Sequence, residues 1–213
     1  MAIRKDQTLV FIGDSITDCG RRGEHAPLGS GYVKLFADMH RIRRPAGKIN
    51  VINRGIGGDT VTGLWGRWHD DVIRNRPDLL SVKIGINDLH RTLRGDVDPV
   101  PPDRYREAYT DILRRTQEAL PACRILLIDP FYISTDKSSD SFRCLVLEKL
   151  PAYLRIVKDL SRTFGTLHIR THALFQRLLR HYEPETFCPE PVHPNLTGHL
   201  VIADAVYAAL TES

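Results

Sequence analysis

The chain has no cysteine pair at C-x-x-C spacing, no low-complexity tract and no long block of like charge. Its four cysteines, Cys19, Cys123, Cys144 and Cys188, lie far apart, so neither a zinc site nor a disulfide framework is expected and reduced thiols are the default. No H-E-x-x-H or comparable ligand set occurs, and no metal or cofactor is expected. The start, "MAIRKDQTLVFIGDS", carries a five-residue apolar run, too short for a signal sequence core and far too short to span a bilayer. A cytoplasmic protein without membrane contact is expected. A formal charge of +4 is mild, and the basic residues fall in short runs such as "RIRR" (41–44) and "RLLRH" (177–181). Solvated helix faces explain such runs, so no nucleic-acid partner is expected.

What remains is an ordinary globular composition, 42% hydrophobic and 26% charged, on a length that suits one domain over residues 1–213. Strand-length apolar runs alternate with longer segments of helical period, the pattern of an α/β domain with a parallel sheet. Strands are expected at 8–13, 48–53, 79–85, 124–129 and 167–171. Helices are expected near 31–42, 60–75, 103–119, 141–164 and 172–181, with a last one from about 196 capped by Asn195 or Thr197. These elements predict a three-layer α/β/α sandwich around a five-stranded parallel sheet of flavodoxin-like order. In such sheets function gathers beyond the carboxyl ends of the strands.

Four segments meet that edge. "FIGDSITD" (11–18) ends an apolar strand abruptly in Gly13, Asp14 and Ser15; the serine is either a projecting hydroxyl or a helix cap, as Thr17 is. "GIGGDT" (55–60) offers approachable backbone N–H groups or simply a turn, and fits no phosphate-loop pattern. "GIND" (85–88) puts Asn87 where its amide could be aimed into a site or could close a local turn. "PEPVHPNLTGH" (189–199) holds His193 on a loop stiffened by Pro189, Pro191 and Pro194, with Glu190 three residues before it. Alone, a loop histidine is more often a surface residue without a duty. Together the parts supply a nucleophilic hydroxyl, a base, an orienting carboxylate and donors for a developing oxyanion, which is the equipment of acyl transfer.

"GDSIT", the glycine of "GGDT", the asparagine of "GIND" and the histidine of "PVHPN" match, in order, the four blocks of the SGNH (GDSL-type) hydrolases. The chain resembles that family from residue 8 to its last helix. More narrowly, "FIGDSITDCGR", "GSGYV" (29–33), "SVKIGINDLHR" (81–91) and "PFYI" (130–133) look like the intracellular members that deacetylate xylo-oligosaccharides. The resemblance implies Ser15 as nucleophile, His193 as base and then acid, and an oxyanion hole of the Ser15 and Gly58 N–H groups with the Asn87 amide. The family's aspartate is Glu190 here. Being one methylene longer, it reaches the imidazole only if the loop retreats or the side chain folds back. Glu183 and Glu185 are the other carboxylates on that loop.

For substrate contact the candidates are Asp14, Trp65 and Tyr132. Asp14 could instead brace the nucleophile loop, Tyr132 could merely fill its loop, and Trp65 and Trp68, three apart on a helical face, could both be packing, Trp68 above all. His90, Arg91 and His199 lie near site residues without an assigned role. The expected partner is a small acetylated carbohydrate, and the resemblance suggests a homo-oligomer. The rivals are a thioesterase or lysophospholipase using the same triad, and a non-catalytic α/β binding module in which Glu190 marks lost activity.

Overall fold

A computed structural model describes residues 3–211. The strands β1 (Thr8–Gly13), β2 (Asn50–Gly55), β3 (Leu79–Lys83), β4 (Arg124–Ile128) and β5 (Leu167–Ile169) form one wholly parallel sheet in the order β2-β1-β3-β4-β5. This is the flavodoxin-like order, with the topological switch between β1 and β3. The central strands read as continuous apolar runs because helices cover both faces: Leu9–Ile12 and Leu79–Val82 are buried throughout.

Around the sheet lie α1 (Ser15–Asp18), α2 (Tyr32–Arg43), α3 (Val61–Asp71), α4 (Ile86–Arg94), α5 (Pro102–Ala119), α6 (Phe142–Phe164), α7 (Thr171–Leu178) and α8 (Leu196–Thr211). Helix α2 packs against α8, while α3 packs on α5 and α5 on α6. Phe11 of β1 meets Tyr32 and Phe36 of α2 at 6.0 and 5.3 Å between ring centroids, and Phe36 meets Tyr207 of α8 at 6.3 Å. Strand alternation turns Val10 and Ile12 to the opposite face.

Three departures from the sequence reading concern the functional edge. Strand β2 runs two residues further than the apolar pattern, because Asn53 is buried with its amide donating to the carbonyls of Thr17 and Leu28, at 2.6 and 2.7 Å. Strand β3 stops at Lys83, two residues early. The "GIND" segment then enters α4, a helix the sequence reading missed, so Asn87 sits in a first helical turn. At the end of β1, a Cβ on Gly13 would lie 2.2 Å from the Lys83 carbonyl oxygen, so only glycine lets the strands converge there.

Candidate active site

The first turn after β1 is held from below. Asp14 caps α1, its Oδ1 accepting the Ile16 N–H at 3.0 Å, and its Oδ2 faces the Lys83 Nζ at 3.4 Å; both side chains are wholly buried. Burial pulls the Lys83 ammonium below its ordinary pKa, the Asp14 charge opposes that fall, and the Phe131 ring lies 4.8 Å from Nζ. A buried Asp14 with both oxygens engaged touches no substrate. Of the two readings of Asp14, substrate contact and a brace, the geometry favours the brace for the turn that carries Ser15.

On that turn Ser15 Oγ lies 2.9 Å from His193 Nε2. The histidine arrives on the loop before α8, whose N-cap is Asn195, its Oδ1 accepting the Gly198 N–H at 3.0 Å. Asn195 also closes the loop, its Nδ2 donating to the carbonyls of Glu185 and Thr186. Pro191, Val192 and Pro194 are buried, and Ile133 N–H donates to the Pro191 carbonyl at 2.8 Å, so the loop is rooted while Glu190 and His193 stay exposed.

Glu190 solves its extra methylene by folding back. Its Oε1 accepts the His193 N–H at 2.7 Å and bonds the same residue's Nδ1, while Oε2 accepts the Val192 N–H at 3.0 Å. Partial burial pushes its pKa up, but the two N–H donors and the imidazole outweigh that and leave the carboxyl below its ordinary value. A carboxylate on Nδ1 fixes the tautomer in which Nε2 is free to accept the serine proton. Among the described residues neither Glu183 nor Glu185 bonds His193.

The opposite wall is the Ile56–Asp59 turn. Gly58 sits at φ +75, a conformation that favours glycine. A Cβ on Gly57 would lie 4.0 Å from that of Ser15, so the turn abuts the serine. Gly57 N–H is taken by Asp18 Oδ2 at 3.0 Å, whereas the N–H groups of Ser15 and Gly58 bond nothing among the described residues. Asn87 Nδ2 spends one hydrogen on the Asp59 carbonyl, 2.9 Å away, and keeps the other. The backbone donors of Ser15 and Gly58 and one Asn87 amide hydrogen are thus unspent at this edge of the sheet.

Some contributors escaped the sequence reading. His199 on α8 accepts the Tyr32 N–H at its Nδ1, 3.2 Å, so the neutral ring carries its proton on Nε2, 3.3 Å from Cys19 Sγ. Cys19 donates in turn to the Ile16 carbonyl at 3.3 Å. Burial drives His199 down to about 4 and Cys19 up to about 12, so both act as neutral struts of the nucleophile turn. Arg67 joins the strand ends, pairing with Asp59 and Asp71 and donating to the Arg54 carbonyl at 2.8 Å. Lys83 had a visible signal, a lone cation inside an apolar strand.

The remaining candidates separate clearly. Tyr132 is only 3% exposed and edge-on to His90 at 5.8 Å, which favours loop filling over substrate contact, the two readings its sequence position allows. Trp68 is fully buried with Nε1 donating to Thr116 Oγ1 at 3.0 Å. Trp65, by contrast, stays 49% exposed on a groove that begins at Asp59. Among the described residues no cluster of three metal-ligating side chains occurs, and no helix is long and apolar enough to cross a membrane.

Residues 11–201 match the GDSL-like Lipase/Acylhydrolase family. An acetylxylan esterase of Geobacillus stearothermophilus is 34% identical over 96% of this chain and 94% of its own. Its crystal structure superposes with a TM-score of 0.88 at 32% identity, covering 99% of this chain and 96% of that one. Solved variants of that enzyme described as catalytic mutants replace a serine, a histidine and an aspartate. An α/β hydrolase called LAE5, from the metagenome of Lake Arreo in Spain, is 30% identical with a TM-score of 0.86, covering 97% of this chain and 96% of its own. With its matched blocks converging on one edge of a sheet that superposes on an esterase, the chain belongs to the GDSL-like lipase/acylhydrolase family and is a carboxylic ester hydrolase.

Proposed function

We propose that the protein removes acetyl groups from acetylated carbohydrates of the xylo-oligosaccharide type, through an acetyl-enzyme on Ser15. The observation that carries this reading is the continuous relay from Glu190 through both ring nitrogens of His193 to Ser15 Oγ. His193 Nε2 takes the Ser15 proton as Oγ bonds to the acetyl carbonyl carbon. The oxyanion is held by the N–H groups of Ser15 and Gly58 and by the free hydrogen of the Asn87 amide. The bond from carbon to the sugar oxygen then breaks, and that oxygen leaves with the proton from His193. Water repeats the sequence: its proton passes to His193, its oxygen bonds the acyl carbon, and acetate departs as Oγ recovers its proton.

The acetylxylan esterase activity named for the Geobacillus relative supports the carbohydrate substrate. The cavity at Ser15 and His193, about 400 Å³, mixes polar Ser30, Asn195 and His199 with apolar Ile16, Pro194 and Leu196; it has room for an acetyl group beside Ser15, and the paired esters below read the chain length it prefers. A homo-oligomer working in the cytoplasm belongs to the same reading; a monomer in light scattering would count against the first part.

The test is hydrolysis of p-nitrophenyl acetate beside the octanoate, by the unmutated protein and by Ser15→Ala. Acetate-selective turnover that falls by about 10⁶ in the variant is expected. Octanoate preference would point to the lysophospholipase or thioesterase reading, and no turnover of either ester to a binding module.

A further inference from the structure

The groove beyond the Gly58–Asp59 turn has a volume of about 730 Å³ and runs between α3, the start of α5 and α4. From it we infer that this groove is a subsite for a chain of neutral pyranose rings, taking the unacetylated sugars that flank the acetylated one. The inference rests on the proposed esterase reading and adds to it the site that would hold the rest of the oligosaccharide.

Three features argue for a sugar chain. The first is Trp65, whose indole is exposed yet fixed. Its Nε1–H donates to Asp111 Oδ2 at 2.7 Å, and the Arg115 guanidinium lies 5.8 Å from the ring centroid. With an edge pinned and a cation on one face, the rest of the ring is an open, pre-oriented apolar platform. The C–H face of a pyranose suits such a platform, and a ring already held gives up little rotamer freedom on binding.

The second feature is the polar wall around it. Thr62 contributes a hydroxyl, Arg91 a guanidinium, and Glu107 an exposed carboxylate that forms no ion pair among the described residues. Vicinal sugar hydroxyls can donate to the carboxylate and accept from the guanidinium at once. An acyl chain would strip water from both charges and return no hydrogen bond, and a polyanion would meet Asp59 and Glu107.

The third is continuity with the reaction centre. Arg91 Nη2 donates to the Gly58 carbonyl at 3.1 Å, so a residue that lines the groove also anchors the turn that carries Gly58.

The experiment uses unacetylated xylotetraose as the probe and Ser15→Ala protein, so that binding is read without turnover. Isothermal titration should give millimolar or tighter binding. Trp65→Ala should weaken it by about tenfold, Trp65→Phe by less, and Glu107→Gln by a few-fold. With an active serine, Trp65→Ala should lower the kcat/KM ratio of acetylated xylotetraose over acetylated xylose by a similar factor. Thermal melts unchanged from the parent show that the variants fold. Absence of heat at ~10 mM tetraose, or equal affinity in Trp65→Ala, overturns the subsite. Failure of the unmutated protein on p-nitrophenyl acetate overturns the esterase reading instead, and leaves the titration to judge the groove on its own.

Discussion

The two halves of the relay are secured by opposite means. Ser15 stands on a turn whose supports, Asp14 and Lys83, are wholly buried at the centre of the sheet, where a charge pair is stiff because leaving it unmade is so unfavourable. His193 and Glu190 stand in solvent on a proline-braced loop, with side chains 58% and 45% exposed. Their geometry comes from backbone N–H groups and fixed φ angles, which need no burial. The difference teaches that precision in this site is not synonymous with enclosure: one half draws on the stability of the fold, the other on local covalent stiffness.

That contrast can be broken from either side. The largest effect is expected on the exposed half, where Glu190→Gln should lower turnover by about 10⁴ through loss of the correct imidazole tautomer, with little change in unfolding free energy. Turnover within a few-fold of the parent would mean that His193 needs no carboxylate. On the buried half, Lys83→Met leaves Asp14 unpaired and should cost about 3–5 kcal/mol in urea unfolding. A loss below ~1 kcal/mol would show that the pair is not what steadies the turn.

Between the halves lies the oxyanion wall. Asn87→Ala should reduce kcat by about 10²–10³ while KM for p-nitrophenyl acetate hardly moves, and a near-normal kcat would remove the amide from the scheme. The smallest effect is on stability against pH. Burial holds His90, His172 and His199 down to about 4, against 6.5 in the unfolded chain. Unfolding therefore takes up protons in that window, and stability falls as pH drops from 6.5 toward 4. Asp88 opposes this. Burial pushes its carboxyl up to about 8 from 3.8, so the folded chain keeps a proton that the unfolded one releases, and stability falls as pH rises through that range. With three groups against one below 6.5 and Asp88 acting above it, Tm should peak near pH 6.5. Asp88→Asn should flatten the alkaline side; a Tm in the parent that is level from 6.5 to 8 would refute the Asp88 assignment.

The sheet was legible because its central strands are apolar on both faces, and Ser15, Gly58, Asn87 and His193 were nominated because glycine and proline mark the chain reversals that carry them and the family resemblance picks them out. Less was legible where polar groups are buried with partners. Asn53 and Lys83 lie inside strands that hydropathy would end or interrupt, and their carbonyl and carboxylate partners are distant in the chain. For Asp14 and Tyr132 the sequence left two readings open for the same reason, since nearness to Ser15 or to a strand end does not tell which way a side chain turns. Helix α4 was hidden because "GIND" reads as the end of a strand until the following "LHRTLR" is allowed to wind back on it. His199 and Cys19 could not be joined by any pattern, being 180 residues apart.

Among the described residues the Glu190 carboxylate bonds only its own loop: the two amides at Val192 and His193 and the imidazole beside them. The alignment of carboxylate and imidazole is thus set within one tetrapeptide, Glu190 to His193, which the Ile133 N–H ties to the rest of the fold through the Pro191 carbonyl. A substitution elsewhere that tilts the loop would leave their mutual alignment intact and change one gap, from His193 Nε2 to Ser15 Oγ. The machine has a single joint to keep in adjustment, which gives the surrounding surface wide latitude to drift.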